Sequence, residues 1–391
     1  MHRPRNLRSA QAVLIASLAS IVLYNRSSVL YTFYANAPSR FQTGSNLSNL
    51  KVQFRDLVRN CEDAVLDPEH GFALLSCDPG RDTWNTVMGV FKDAESPPGT
   101  GIYYYDYTSD STKPEKLELL DFNAALSHFH PLGLDYHTES NTILVTNHAR
   151  DGPSIEVFTL FRSDRAATHI RTIKDGLLAA PNSIAAINSH ESLVTNDHHF
   201  RAGKDAKANL LETYLGLPGG SVVHVDMRLP SQANVTRLAR LPFANGIVQL
   251  NATTLAVASS SMNSIYLYDL PSRNGDHAPA LEPLNTIALP FHPDNLSVDK
   301  DGKLLIAGHP HSPTLSKISK NIAQCNSPGG GKEGDCVQGL SWIAEWSEQG
   351  GLTTLYKGRN FGTSSTAVRD VDRKFGLATG LYERGLLTWD A

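Results

Sequence analysis

Past residue 8 the chain has no run of lysines and arginines. With 35 basic against 39 acidic residues and a formal charge of -4, it offers no basic field to nucleic acid. Beyond about residue 50 it also lacks any sustained helical period, which argues against a helix bundle. The bias of disordered or collagenous chains is missing too, since 41% hydrophobic and 19% charged residues can bury a large core. The apolar run AQAVLIASLASIVLY, residues 10–24, would be roughly 22 Å long as a helix, short for a bilayer core of about 30 Å.

That run follows the basic residues 1–9, which is the layout of a secretory targeting segment. Ala35-Asn36-Ala37 has the small-x-small form of a cleavage site but lies far beyond the run and precedes Pro38. An uncleaved anchor over 10–24 is therefore preferred to a removed signal peptide, with a buried helix of the folded domain as the remaining reading. Residues 25–50 then read as a linker, 51–391 as the folded domain, and the membrane as a partner through the N-terminal segment. Either way the domain faces the lumen or the outside, where disulfides persist and asparagines are glycosylated. Sequons fall at Asn25, Asn46, Asn234 and Asn251, and again at Asn295. The four cysteines allow three pairings; spacing favours Cys325–Cys336 across a glycine-rich loop, leaving Cys61–Cys77.

One phrase recurs after residue 60. A strand entry, a polar turn and a second apolar strand appear as AVLDPEHGFALLS, GLDYHTESNTILVTN, SIAAINSHESLVTN, GIVQLNATTLAVAS, LSVDKDGKLLIAG and AVRDVDRKFGLATG. Marked by Phe72, Ile143, Leu193, Leu255, Leu304 and Phe375, the copies are 71, 50, 62, 49 and 71 residues apart. That spacing suits one four-stranded blade plus loops, and six copies predict an all-β, six-bladed propeller. A β-sandwich can produce several such phrases, though six in register disfavour it.

In a propeller the first strand of each blade lines the central channel. Nine to eleven residues before the markers stand Glu62, Gly133 with Leu134, Asn182, Asn245, Asp294 with Asn295, and Ser365. Carboxylates and amides in a narrow channel are costly to bury unless something pairs with them. A calcium ion would do so: Glu62 and Asp294 balance its charge, and Asn182, Asn245 and Asn295 bring the oxygens to five, with positions left for water and substrate. Zinc is disfavoured, the set having neither thiolate nor imidazole. Any one of these asparagines by itself is better read as a turn former. In this arrangement Asn295 points into the channel and its sequon is silent.

With these residues in hand the chain resembles the serum paraoxonase and arylesterase family, calcium-dependent six-bladed propellers that hydrolyse lactones and esters. The resemblance rests on Cys61-Glu62-Asp63, Thr146-Asn147-His148, Thr195-Asn196-Asp197-His198, Phe243-Ala244-Asn245-Gly246-Ile247 and Asp294-Asn295-Leu296-Ser297-Val298. It places the catalytic calcium on Glu62, Asn182, Asn245, Asp294 and Asn295, implies a second, structural calcium at Asp63 and the Leu134 carbonyl, and implies a retained N-terminal segment. Three departures stand out. Leu132 replaces the family's first channel histidine while its partner remains as His148; Ser183 replaces a carboxylate of the second ion; and no cysteine after Cys336 can tie the chain's two ends.

These features predict a calcium-dependent hydrolase of small lactones or aryl esters, the ion polarising the carbonyl and a base activating water. His148 is the leading base, Glu62 a second candidate, and His130, His198 and His309 are substitutes. A condensation or rearrangement enzyme resembling strictosidine-synthase relatives is the alternative that loss of a channel histidine would suit. A noncatalytic binding propeller is disfavoured by Glu62 and Asp294.

Overall fold

The computed structural model describes residues 5–109, 111–122, 128–229, 232–270, 280–332 and 334–391, the side chains of 5–16, 18 and 19 excepted. Six sheets stand around one axis, antiparallel except where Glu118–Leu120 adds a parallel strand to the outer edge of blade 2. Blade 1 is built from Cys61–Asp67, Phe72–Cys77, Gly101–Asp106 and Glu115–Lys116; blade 2 from Pro131–His137, Thr142–Asn147, Ser154–Phe161 and Ala166–Ile173. Blade 3 takes Pro181–Asn188, Glu191–Asn196, Gly220–Asp226 and Asn234–Leu241, and blade 4 takes Ala244–Asn251, Thr254–Ser259, Ser264–Asp269 and Glu282–Ala288. Blade 5 comprises His292–Val298, Leu304–His309, Ser341–Ser347 and Gly351–Gly358, with Gly44–Ser45 on its outer edge. Blade 6 uses Ser364–Asp370, Phe375–Gly380 and Leu386–Asp390, and its outermost strand is Ser48–Gln53 from the other end of the chain. The expected six-bladed propeller is thus the observed fold, and each repeated phrase is the first hairpin of one blade.

Alternation explains the layering. Second strands such as Phe72–Cys77 and Leu304–His309 are buried throughout because a blade packs on both faces, whereas the outer strand Glu282–Ala288 is almost wholly exposed. The apolar core lies between blades: Phe72, Leu74 and Tyr104 of blade 1 meet Tyr136, Ile143 and Phe158 of blade 2. First strands pack against one another around the ring, the sixth against the first. Two glycines permit that approach. A methyl group on Gly133 would meet the Asn182 carbonyl oxygen at 2.2 Å, and one on Gly246 the Asn295 Cα at 2.6 Å.

Three helices cover one mouth of the channel. α1 (Arg5–Ala35) runs through the apolar segment and on to Ala35; α2 (Ala202–Leu215) and α3 (Ser312–Cys325) are insertions between the second and third strands of blades 3 and 5. Among the described residues no helix is long and apolar enough to cross a membrane. Residues 25–35, within the stretch expected to link, continue α1, while Gly44–Ser45 and Ser48–Gln53 pair into blades 5 and 6. The end of α1 docks on the propeller: Val29 and Thr32 are buried, Asn36 donates its side-chain amide to the Pro290 carbonyl at 2.7 Å, and the Phe33 ring lies 5.1 Å from that of His292.

Both expected disulfides form, Cys61–Cys77 and Cys325–Cys336. Two such bridges mark a chain that folds in an oxidising compartment. Asn25, Asn46, Asn234 and Asn251 are exposed, whereas Asn295 is 1% exposed, so its sequon is closed to a glycan.

Candidate active site

One feature of the first strands turns polar side chains into the channel. In every blade the pairing of first and second strand breaks register near the strand's start: between Cys61 and Asp63, Pro131 and Leu134, Pro181 and Ile184, Ala244 and Ile247, Pro293 and Leu296, and Ser364 and Ala367. A bulge frees the skipped residues from strict alternation and re-aims them. The skipped residues are Glu62, Leu132 with Gly133, Asn182 with Ser183, Asn245 with Gly246, Asp294 with Asn295, and Ser365 with Thr366. The five expected calcium ligands are all among them.

Four of the five, Glu62, Asn182, Asn245 and Asp294, form the floor of a cavity of about 460 Å³ walled by α1, α2 and α3, and Asn295 is hydrogen-bonded to the Glu62 of that floor. All are at most 5% exposed. Asn295 donates from Nδ2 to Glu62 Oε1 at 2.9 Å and to Thr366 Oγ1 at 3.0 Å. Asn245 donates to Asp294 Oδ1 at 2.7 Å and to Ser260 Oγ at 2.9 Å, and the second Asp294 oxygen accepts from His309 Nε2 at 2.8 Å. Four oxygens of the set have no partner: Glu62 Oε2, Asn182 Oδ1, Asn245 Oδ1 and Asn295 Oδ1 are buried without a hydrogen bond. Each such orphan costs about 1–3 kcal/mol unless a cation or donor meets it. Burial, then the charges of Asp63 and Asp294, hold the Glu62 carboxyl well above the usual carboxylate range, with Arg81 and Asn295 pulling the other way. Among the described residues no three His, Cys, Asp or Glu side chains come together as a metal site. The donor set is instead two carboxylates and three amide oxygens, which fits a hard divalent cation such as calcium.

The second expected site is held by hydrogen bonds. Asp63 Oδ2 accepts from the Leu134 amide at 2.9 Å, and Oδ1 accepts from the Ala64 amide and Thr366 Oγ1, each at 2.8 Å. Burial nevertheless pushes this carboxyl up to about 7. Neither Asp63 oxygen is orphaned, in contrast to the channel floor.

His148 is not brought to this cavity. It lines a neighbouring one of about 430 Å³ together with Trp84, Arg150 and Arg201. Its Nε2 lies 2.5 Å from the Pro181 carbonyl and its Nδ1 bonds the Thr86 hydroxyl, so the neutral ring is saturated. Of the other histidines considered from sequence, His130 is held by Asp78 and the Ala94 carbonyl, and His198 by Asp197 and Thr213. His309 alone of the four keeps a free nitrogen in the cavity, a buried Nδ1 without a partner, while Asp294 orients the ring through Nε2. Sequence reading missed His292 and Thr366. His292 lies three residues before Asn295 at the same strand entry, where its phase could have been read; it donates from Nδ1 to the Ser260 carbonyl at 3.0 Å and leaves Nε2 unpaired in the cavity.

Burial lowers the His148 ring to about 4 from its ordinary 6.5, the hydrogen bond to Pro181 opposing. A depressed folded value means that the unfolded chain binds the proton first. Stability is therefore full above pH 6.5 and falls by roughly 3 kcal/mol as pH drops to 4. Denaturant titrations should show this slope steeper in the wild type than in His148→Gln by up to about 1.4 kcal/mol per pH unit; parallel curves would contradict a buried neutral ring.

The arylesterase family model matches residues 85–328 of the chain. Mouse (Mus musculus) serum paraoxonase/arylesterase 1 is 28% identical over 75% of this chain and 81% of its own length. Dog (Canis lupus familiaris) serum paraoxonase/arylesterase 2 is also 28% identical, over 76% of the chain and 78% of its own. Among solved structures a luciferin-regenerating enzyme superposes with a TM-score of 0.51 at 12% identity, covering 88% of this chain and 95% of that one, a likeness of fold.

Proposed function

This chain is a member of the arylesterase family, and from that premise we propose that it hydrolyses lactones or aryl esters on the floor of the helix-walled cavity, with calcium as its cofactor. The observation that carries the reading is the set of four orphaned, buried oxygens on Glu62, Asn182, Asn245 and Asn295 beside the Asp294 carboxylate. Held by these five residues, a calcium ion would supply a Lewis acid for the substrate carbonyl. The remaining work falls to the protein. His309 takes the proton of the attacking water at Nδ1, and Asp294 steadies the imidazolium through Nε2. Val29, Phe33, Leu132, Phe243 and Leu315 keep bulk water from the floor and give the acyl or aryl part apolar contact. The end of α1 walls the cavity, so the N-terminal segment is retained in the working protein, at the membrane or in the lumen, with glycans on the exposed asparagines.

The test is turnover of phenyl acetate and aliphatic lactones by the full chain with calcium and after chelation. Turnover that chelation abolishes and calcium restores supports the reading. Turnover indifferent to chelation removes the calcium role, and calcium-dependent thermal stabilisation with no turnover of any ester removes the hydrolase.

A further inference from the structure

Among the groups that wall the cavity, one is a cation with nothing to neutralise it. Arg26, on α1, is 7% exposed and lines the same cavity as the polar floor. Its hydrogen bond is a weak one, from one guanidinium nitrogen to the Met262 sulfur at 3.0 Å. Among the described residues no carboxylate pairs with it. Burial lowers its pKa from the ordinary value, and no neighbouring charge contributes to raise it. The C-terminal turn of α2 lies alongside, where a methyl group on Gly216 would meet the guanidinium at 2.6 Å; the negative end of that helix explains why the cation is tolerated but leaves its other donors unused.

A second group on the same wall is unsatisfied. Ser261, next in sequence to Met262, lines the cavity and is 5% exposed, and its buried hydroxyl has no hydrogen-bond partner. An arginine fork and a hydroxyl donor are a pair that a carboxylate satisfies, and the single positive charge matches one carboxylate better than a doubly charged phosphate. Val29, Phe33, Val87, Met88 and Phe243 line the same space, so the anion would be carried on an otherwise apolar body.

We propose that Arg26 and Ser261 receive an ionised carboxylate on the substrate, remote from the bond that is cut, so that the preferred substrates are lactones or esters carrying a second, free carboxylate. This deepens the hydrolase reading and rests on it for the word substrate.

Matched pairs test it with the full chain: phenyl acetate against 4-acetoxybenzoate, and γ-butyrolactone against its 3-carboxylate. The ratio of kcat/KM, anionic over neutral, should be about 10 to 100 in the wild type, fall to near one in Arg26→Gln through KM, and recover partly in Arg26→Lys, for a charge-assisted contact of ordinary strength. A wild-type ratio at or below one overturns the proposal, as does an Arg26→Gln variant that slows both members of each pair alike, the mark of a residue that merely docks α1. Glutarate, which cannot be hydrolysed, separates the two readings. If no ester reacts but glutarate raises the melting temperature of the wild type and not of Arg26→Gln, the carboxylate site stands and the hydrolase falls. If esters react without charge preference and glutarate gives no such shift, the hydrolase stands and the carboxylate site falls.

Discussion

Asn295→Ala is expected to abolish calcium-dependent stabilisation and ester turnover together. Asn295 is the joint of the channel floor: its Nδ2 restrains Glu62 and Thr366, and its Oδ1 is buried without a partner. Truncation takes one oxygen from the proposed cation site and releases the Glu62 carboxylate from its restraint, so a calcium ion there would lose one ligand and the order of a second. Without calcium, loss of the bond to Glu62 and removal of the orphaned Oδ1 are of similar size and opposite sign, so the variant's stability should change little. At a calcium concentration 100-fold above the dissociation constant, bound ion stabilises the wild type by about 2.7 kcal/mol, and the variant should show almost none of this. Asn295→Asp sharpens the comparison by keeping the oxygen and adding charge. It should be unstable without calcium, through a third carboxylate near Glu62 and Asp294, and regain stability when calcium is added. Thermal melts of both variants with and without the ion decide the matter; an alanine variant that keeps the full calcium shift would show that the ion binds elsewhere.

His309→Gln is expected to lower kcat by 10² to 10⁴ with little change in KM, the range for removal of a general base. Glutamine can still donate to Asp294, so the floor is kept while the basic Nδ1 is lost. The same substitution at His148 should act mainly on stability, because that ring spends both nitrogens on Pro181 and Thr86 in the neighbouring cavity. Steady-state kinetics on both variants test the assignment: a large kcat loss at His148 and none at His309 would reverse it.

The contrast between these histidines shows where sequence reasoning stopped. The repeat was legible because each blade begins with the same local object, a hairpin whose polar turn separates two apolar strands, and local patterns survive in sequence. The floor was legible because carboxylates and amides at a strand entry violate that pattern, and the bulges that excuse the violation recur at one phase. The base was not. His148 stands in a motif shared with the resembled family, but which of two adjacent cavities its ring enters depends on Thr86 and the Pro181 carbonyl, contacts distant in sequence. Arg26 was hidden for a related reason, since nothing in the stretch read as a linker announces that it continues the helix and closes over a channel assembled far downstream.

The sixth blade carries a consequence for how the molecule is made. Its outermost strand, Ser48–Gln53, leaves the ribosome long before its partner, Leu386–Asp390. At roughly 5–20 residues per second, the early strand waits roughly 15 to 70 s for a mate, an unpaired edge throughout. The ring cannot close before Leu386–Asp390 has been made, so the channel floor, which needs blades 1 and 6 side by side to set Thr366 against Glu62, is completed only after that. Deletions that reach Ser48–Gln53 or Leu386–Asp390 therefore act on one and the same seam.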